Sequence, residues 1–580
     1  MSGLQSIVYA MEVGGIRWWI TRGVLLAVWF GLAVFYFVSE FVGFSRAEAM
    51  DQAQLARQVA EGKGFTTQFI RPLAIWQLKE SGKKVEEIDL LNFPDTVNPP
   101  LHPLVNAVGF KLSGVSFDVA QGQVKDLRIF RPEQIVLAIS LSFLLLTTLT
   151  LYVWARWLFD DVVAVTATLF FMSTALVWNF AISGLSTMLL MFCLTAAGLS
   201  LHAALVWDEE ERGWLAVVGA AVTACFLGLA AMTNYVFGWL ILPLVVVTAL
   251  AFSRRWLALT VVLVVFVGVC APWWVRNITL VGHPFGLAWV SAFMDGGLFP
   301  GQSIWRSLEL SVWQIVSPAG VIRDMVRGVM NQSMAFSTLC GGFVLAALAV
   351  GSILHRFRAR TSSVEHWFWM GGVGTVLVLG GVTFPADPAM WQSSNHLLPF
   401  LPVLLTFAMA FLYVLLDRIQ LPVRVLKYCV VAIILMIHAV PMARDFLAPA
   451  GRLFAYPPYF PPILVLTKSW SEPDEVSAGD IPWAQAWYQN RVAVWLPKNK
   501  EQFFEISDLM RRIVMVLITP ESANSRYLSE IRKGEWKEWS DTILRKPGSQ
   551  RLLPFAIPLP PPGPPAEGEY FLLADRPRWQ

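Results

Sequence analysis

The chain has 580 residues, 56% of them hydrophobic and 15% charged, and a formal net charge of only +3. A soluble globular chain carries roughly 25% charged and 45–50% apolar residues, so a cytosolic enzyme, a disordered scaffold and a secreted disulfide module are excluded. The near-neutral balance leaves no basic face for nucleic acid, and 26 Trp with 39 Phe suit rings placed at two membrane interfaces. The composition is that of a polytopic membrane protein.

A hydrocarbon core of about 30 Å takes about 20 apolar residues in helical form. Eleven stretches meet that need: 18–40, 134–155, 162–180, 185–206, 214–233, 236–253, 256–274, 336–355, 366–384, 397–416 and 424–444. No small-residue cleavage site follows the first, so it is expected to stay as an anchor. Cys193, Cys225, Cys270, Cys340 and Cys429 all fall in apolar stretches without metal spacing, and read as small buried hydrophobes.

Orientation follows from the short loops. Arg156, Arg212, Arg254, Arg255, Arg356, Arg358, Arg360, Arg418, Arg424 and Lys427 share one set, while loops 179–184, 234–235 and 385–396 hold no Lys or Arg. Positive loops stay in the cytoplasm. The N-terminus is therefore expected inside, and an odd number of spans places the C-terminal region outside.

Three long segments then face outward: 45–133, 275–335 and 445–580. In the first, Ala47 to Glu61 has helical spacing and ends at Gly62 and Gly64, and Leu101 to Leu112 is a second short apolar helix. Both are too short to span and are expected to lie in the outer interface. Val321 to Met334 reads similarly. From Asp480 the pattern alternates, with strands near Val492–Leu496, Ile513–Thr519 and Tyr570–Ala574 and helices near Lys500–Arg512 and Ser522–Trp536. The run from Pro558 to Pro565 is expected to be an extended connector. The expected fold class is thus a polytopic α-helical membrane protein of about 11 transmembrane helices, with interfacial helices in the first outer loop. Its expected divisions are a transmembrane domain, 1–444, and a small extracytoplasmic α/β domain, 445–580.

Candidate chemistry gathers at the outer face. Glu48 and Asp51 lie three residues apart on one predicted helix, so they share a face. They either favour the helix dipole from its first turns or act as a base on an incoming hydroxyl or amine. Lys63, Arg71, His102, Arg276 and His396 fall at outer positions. Each alone reads as an interface anchor, whereas together with the acids they suit a leaving phosphate. There is no GxxxxGK[ST], no HExxH and no G-x-S-x-G after a strand, so nucleotide, zinc-protease and serine-hydrolase chemistry lack their devices.

Three segments carry a family resemblance. Glu48-Ala49-Met50-Asp51 leads into Ala56-Arg57 and Glu61-Gly62-Lys63-Gly64-Phe65. Asn98-Pro99-Pro100-Leu101-His102-Pro103 is the second segment, and Pro272-Trp273-Trp274-Val275-Arg276-Asn277 the third. In this order they resemble the GT-C class of integral membrane glycosyltransferases, near the bacterial protein O-mannosyltransferase and aminoarabinose transferase (dolichyl-phosphate-mannose-protein mannosyltransferase-like) family, over residues 10–420. Ala486-Trp487-Tyr488 and Val494-Trp495-Leu496-Pro497 are similar to the extracytoplasmic domain of some members.

The resemblance implies inverting transfer of a sugar from a polyprenyl-phosphate carrier to a glycan, lipid or protein acceptor at the outer face of the cytoplasmic membrane. It implies Glu48 as base with Asp51 as partner (or the two exchanged) and Arg276 on the carrier phosphate. Lys63, Arg71, His102 and His396 complete the expected donor set. No cofactor is expected, and the part of a divalent metal stays open. Ser183-Gly184, Thr233-Asn234 and Asn395-His396 stand where many relatives carry an acid, Thr-Arg and Arg-Tyr. The alternative is a GT-C-like scaffold or binding subunit of an envelope complex without turnover, with a transporter more distant.

Overall fold

The computed structural model describes residues 15–118, 130–293, 303–310, 318–339, 343–383, 395–419, 424–447, 464, 467–523, 528–544, 546, 557–558 and 571–578. Among these, six helices are long and apolar enough to cross a membrane: Ile20–Glu40, Arg131–Leu158, Thr187–Glu209, Gly213–Thr233, Arg255–Val281 and Leu398–Arg418. Two bent pairs raise the number to eight, and Tyr235–Ala251 and Val344–Ile353 are shorter apolar helices. The chain is a multi-pass membrane protein.

The stretch 162–180, expected as one span, is broken at Ser173-Thr174 into two helices inclined at 62°. The Thr174 hydroxyl donates to the Phe170 carbonyl at 2.9 Å, and Trp178 Nε1 donates to the Met172 carbonyl at 2.7 Å. These side chains satisfy carbonyls that a continuous helix would have bonded itself. Pro318–Leu339 is a helix longer than the expected 321–334, yet Arg323, Asp324 and Arg327 keep it out of the apolar class. Loop 385–394, Cys340 and the proline run beyond Pro558 lie outside the described residues.

Six of the helices are α1 (Gly15–Phe35), α2 (Ala47–Ala60), α3 (Pro72–Glu80), α4 (Leu101–Ser113), α5 (Arg131–Leu158) and α6 (Arg255–Val281). Helices α2 and α4, the two expected short helices, pack against each other, and α4 also packs on α5. Helix α2 stops where Gly62, at φ +79°, lets the chain turn back, and α4 stops at Gly114, at φ +58°. Glycine adopts that conformation without a Cβ clash. Pro132 opens α5, where a missing N–H costs nothing.

Among the described residues there is one sheet of six strands: β1 (Phe69–Ile70), β2 (Val476–Gly479), β3 (Val492–Trp495), β4 (Ile513–Ile518), β5 (Ile557–Pro558) and β6 (Phe571–Ala574). Its order is β1-β3-β2-β4-β6-β5. The first four strands are parallel, and β6 runs antiparallel to both β4 and β5. All six residues of β4, Ile-Val-Met-Val-Leu-Ile, are buried, the pattern of a strand covered on both faces. The edge strand β1 comes from the segment between α2 and α3 and pairs Phe69 with Ala493 and Ile70 with Val494. The expected strands at 492–496, 513–519 and 570–574 are all present, whereas β1, β2 and β5 escaped the sequence pattern.

Candidate active site

Strand β1 delivers the first cation. The residue after it, Arg71, is extended and precedes Pro72 at the start of α3, so its side chain leaves the sheet edge toward α2. Its guanidinium lies over the Phe69 ring at 4.0 Å, and one nitrogen meets the Asp51 carboxylate at 2.6 Å. Both side chains are nearly buried, at 12% and 4% exposure. Asp51 also accepts from Asn98 Nδ2 at 3.0 Å and from Gln54 Nε2 at 3.2 Å.

A second acid stands behind the pair. Asp95 lies 4.0 Å from the other Arg71 terminal nitrogen, and it accepts from the backbone amides of Val97 and Asn98 at 3.3 and 2.8 Å. Burial first, then the nearby Asp51 carboxylate, pushes the Asp95 carboxyl up to about 6, against the pull of Arg71. Sequence reasoning missed Asp95. The available signal was its position three residues before Asn98-Pro99-Pro100, in a turn where Asp bonds the backbone ahead of it.

The other expected site residues divide. Glu48 occupies the first turn of α2, half-buried, one turn before Asp51. Arg276, near the end of α6, reaches the backbone of the same loop: it donates to the Asp95 carbonyl at 2.9 Å and to the Phe65 carbonyl at 3.1 Å, and also to Oδ1 of the neighbouring Asn277 at 2.9 Å. Its guanidinium lies 4.5 Å from the Trp273 ring centre and 5.4 Å from that of Phe65. Lys63 is exposed and pairs with Glu61 at 2.7 Å.

The two histidines are buried and neutral at physiological pH. His102 Nδ1 is 2.5 Å from Gln52 Oε1, joining α4 to α2, and burial pulls the imidazole down to about 4. His396 packs near the Phe237 ring, at 6.3 Å between centres, and burial again pulls it down to about 4. The structure therefore brings together Asp51, Arg71 and Asp95, with Arg276 bracing the Asp95 backbone. Among the described residues, no group of three or more His, Cys, Asp or Glu side chains is set to hold a metal ion.

Asp51, Arg71 and Asp95 thus form a buried acid–cation–acid arrangement, with Glu48 one turn from Asp51 on α2. Two solved structures share the surrounding architecture. The archaeal oligosaccharyltransferase AglB from Archaeoglobus fulgidus, solved with an inhibitory peptide and a dolichol-phosphate, superposes at TM-score 0.56 with 12% identity over 90% of this chain and 72% of that one. ArnT from Cupriavidus metallidurans, bound to undecaprenyl phosphate, superposes at TM-score 0.51 with 13% identity over 97% of this chain and 99% of that one. The chain has the GT-C fold. No family model matches it, and no curated protein matches it significantly in sequence.

Proposed function

We propose that the chain is an inverting glycosyltransferase of the cytoplasmic membrane, moving a sugar from a polyprenyl-phosphate carrier to an acceptor at the outer face. The observation that carries this reading is the buried Asp51–Arg71 ion pair at 2.6 Å, set in a GT-C fold on the acid-bearing helix of the first outer loop. In this reading Glu48 takes the acceptor proton while the acceptor oxygen or nitrogen attacks the anomeric carbon. The bond from that carbon to the phosphate oxygen breaks, and the polyprenyl phosphate leaves with the electron pair. Arg71, held by Asp51, offsets the charge gathering on that phosphate. A single displacement of this kind inverts the sugar carbon.

Purified full-length protein incubated with a panel of polyprenyl-phosphate sugars tests the reading. The expected result is release of the free lipid phosphate with one donor at least, lowered about 10²–10⁴-fold in Glu48→Gln. No release with any donor, in a protein that still binds the carrier lipid, would favour a GT-C-like scaffold.

A further inference from the structure

The acid helix α2 is tied at both ends to the same few residues of the C-terminal region. Before its leading end, the Glu133 carboxylate at the start of α5 accepts from the Phe44 amide at 3.2 Å, from Trp487 Nε1 at 3.0 Å and from the Tyr488 hydroxyl at 2.7 Å. The Phe44 ring also stacks on Trp487, at 6.2 Å between centres. Near the trailing end, Arg57 donates to the Trp487 carbonyl at 2.8 Å and to the Ala486 carbonyl at 2.6 Å. Trp487 and Tyr488 belong to one wide helical turn, Gln485–Gln489, closed by Asn490 at φ +54°.

These contacts are deeply buried. Glu133 is 1% exposed, and Arg57 and Trp487 are 0%. A buried carboxylate needs donors for its oxygens, and the three donors named here come from the segment leading into α2 and from the 485–489 turn. Gly43 leaves the space for it: at φ +112°, an added Cβ would stand 3.2 Å from Glu133 Oε2. A one-residue slip rotates a helix by about 100°, which would carry Asp51 away from Arg71. Fixing both ends of α2 excludes that slip.

We propose that the 485–489 turn is a positioning element for the acid helix, with Glu133 and Arg57 as the positioning residues through which the C-terminal region sets Glu48 and Asp51. The inference rests on the function proposed above for those two acids. It makes the C-terminal region a part of the catalytic framework, in addition to any role it has in receiving the acceptor.

The test uses the full chain in lipid nanodiscs, with amide exchange over residues 47–60 and steady-state transfer as separate readouts. Glu133→Gln is expected to raise exchange over 47–60 about tenfold. It should also lower kcat by about tenfold to a hundredfold while the donor KM stays within about twofold. Exchange in β2, β3 and β4 should stay at the wild-type level. Arg57→Met should act likewise, and Arg57→Lys, which keeps a donor for one carbonyl, should recover part of the loss. Unchanged kcat and unchanged exchange in both Glu133→Gln and Arg57→Met overturn the inference while leaving the proposed function standing. A rise in exchange throughout the chain also overturns it, because the residues then hold up the whole fold. A wild-type chain that transfers no sugar, but whose 47–60 exchange still answers to Glu133→Gln, removes the proposed function and leaves the positioning contact in place.

Discussion

Arg71 and Asp51 meet at 2.6 Å across 20 residues of chain, and the meeting depends on a strand only two residues long. Phe69–Ile70 pairs with Ala493 and Val494, which aims the next residue, Arg71, away from the sheet and toward α2. The sheet of the C-terminal region thus reaches the acid site through the edge strand it borrows.

The acids can be told apart by substitution. General base catalysis contributes about 10²–10⁴-fold, so Glu48→Gln is expected to lower turnover by that order while carrier-lipid binding changes little. Asp51→Asn should weaken both, because it releases Arg71. A larger turnover loss at Asp51 with binding intact would exchange their roles. Wild-type turnover in both variants would leave the reaction without a carboxylate base.

The Asp51–Arg71 pair should show coupling in stability. Arg71→Met leaves a buried carboxylate without its cation, a change that costs about 3 kcal/mol when a buried pair is broken. The double variant Arg71→Met with Asp51→Asn removes the stranded charge and is expected to melt above Arg71→Met alone. Additive losses in the thermal unfolding of the three proteins would show that the two residues do not act as a pair.

Asp95 gives a pH dependence of definite sign. Its carboxyl is held up to about 6 by burial and by Asp51, above the usual carboxylate value of about 4. Between about pH 4 and about pH 6 the folded chain therefore keeps a proton there that the unfolded chain releases. This contribution to stability is fully present below about pH 4 and is lost as the pH rises through about 6. The melting temperature of Asp95→Asn relative to wild type is expected to rise between about pH 4 and about pH 7. A falling difference would mean that Asp95 is stabilised as the anion.

Arg276 separates a brace from a direct phosphate contact. Its bonds to the Asp95 and Phe65 carbonyls use the planar fork of the guanidinium, which an ammonium does not reproduce. Both Arg276→Ala and Arg276→Lys are expected to lower the melting temperature and weaken donor binding. Full donor affinity in Arg276→Lys would show that a point charge suffices and that the residue meets the phosphate directly.

The orientation is open to labelling. Single cysteines at Ser81 and Asp508, both exposed, are expected to react with an impermeant thiol reagent on intact spheroplasts, in a background where the exposed Cys429 is serine. Ser507 is a poor probe because it is buried and accepts from the Ile513 amide at 3.3 Å. Labelling only after lysis would reverse the topology and move the proposed reaction to the other face.

The sequence by itself determined the membrane class, the bounds of most long helices, α2 and α4, and three of the six strands. Each is written in a contiguous apolar pattern whose period matches its own secondary structure. It also placed Glu48 and Asp51 on one helix, because residues three apart share a face whatever surrounds them. The tertiary structure alone decided that Asp51 takes Arg71 and shares it with Asp95, and that Arg276 bonds backbone. It also decided that His102 and His396 are buried and neutral. Nothing in a two-residue strand or a loop aspartate sets a period. Arg71 meets Asp51 across 20 residues and β1 pairs with a strand more than 400 residues on, and only the packing of the folded chain brings such groups within the few ångströms over which ion pairs and hydrogen bonds act.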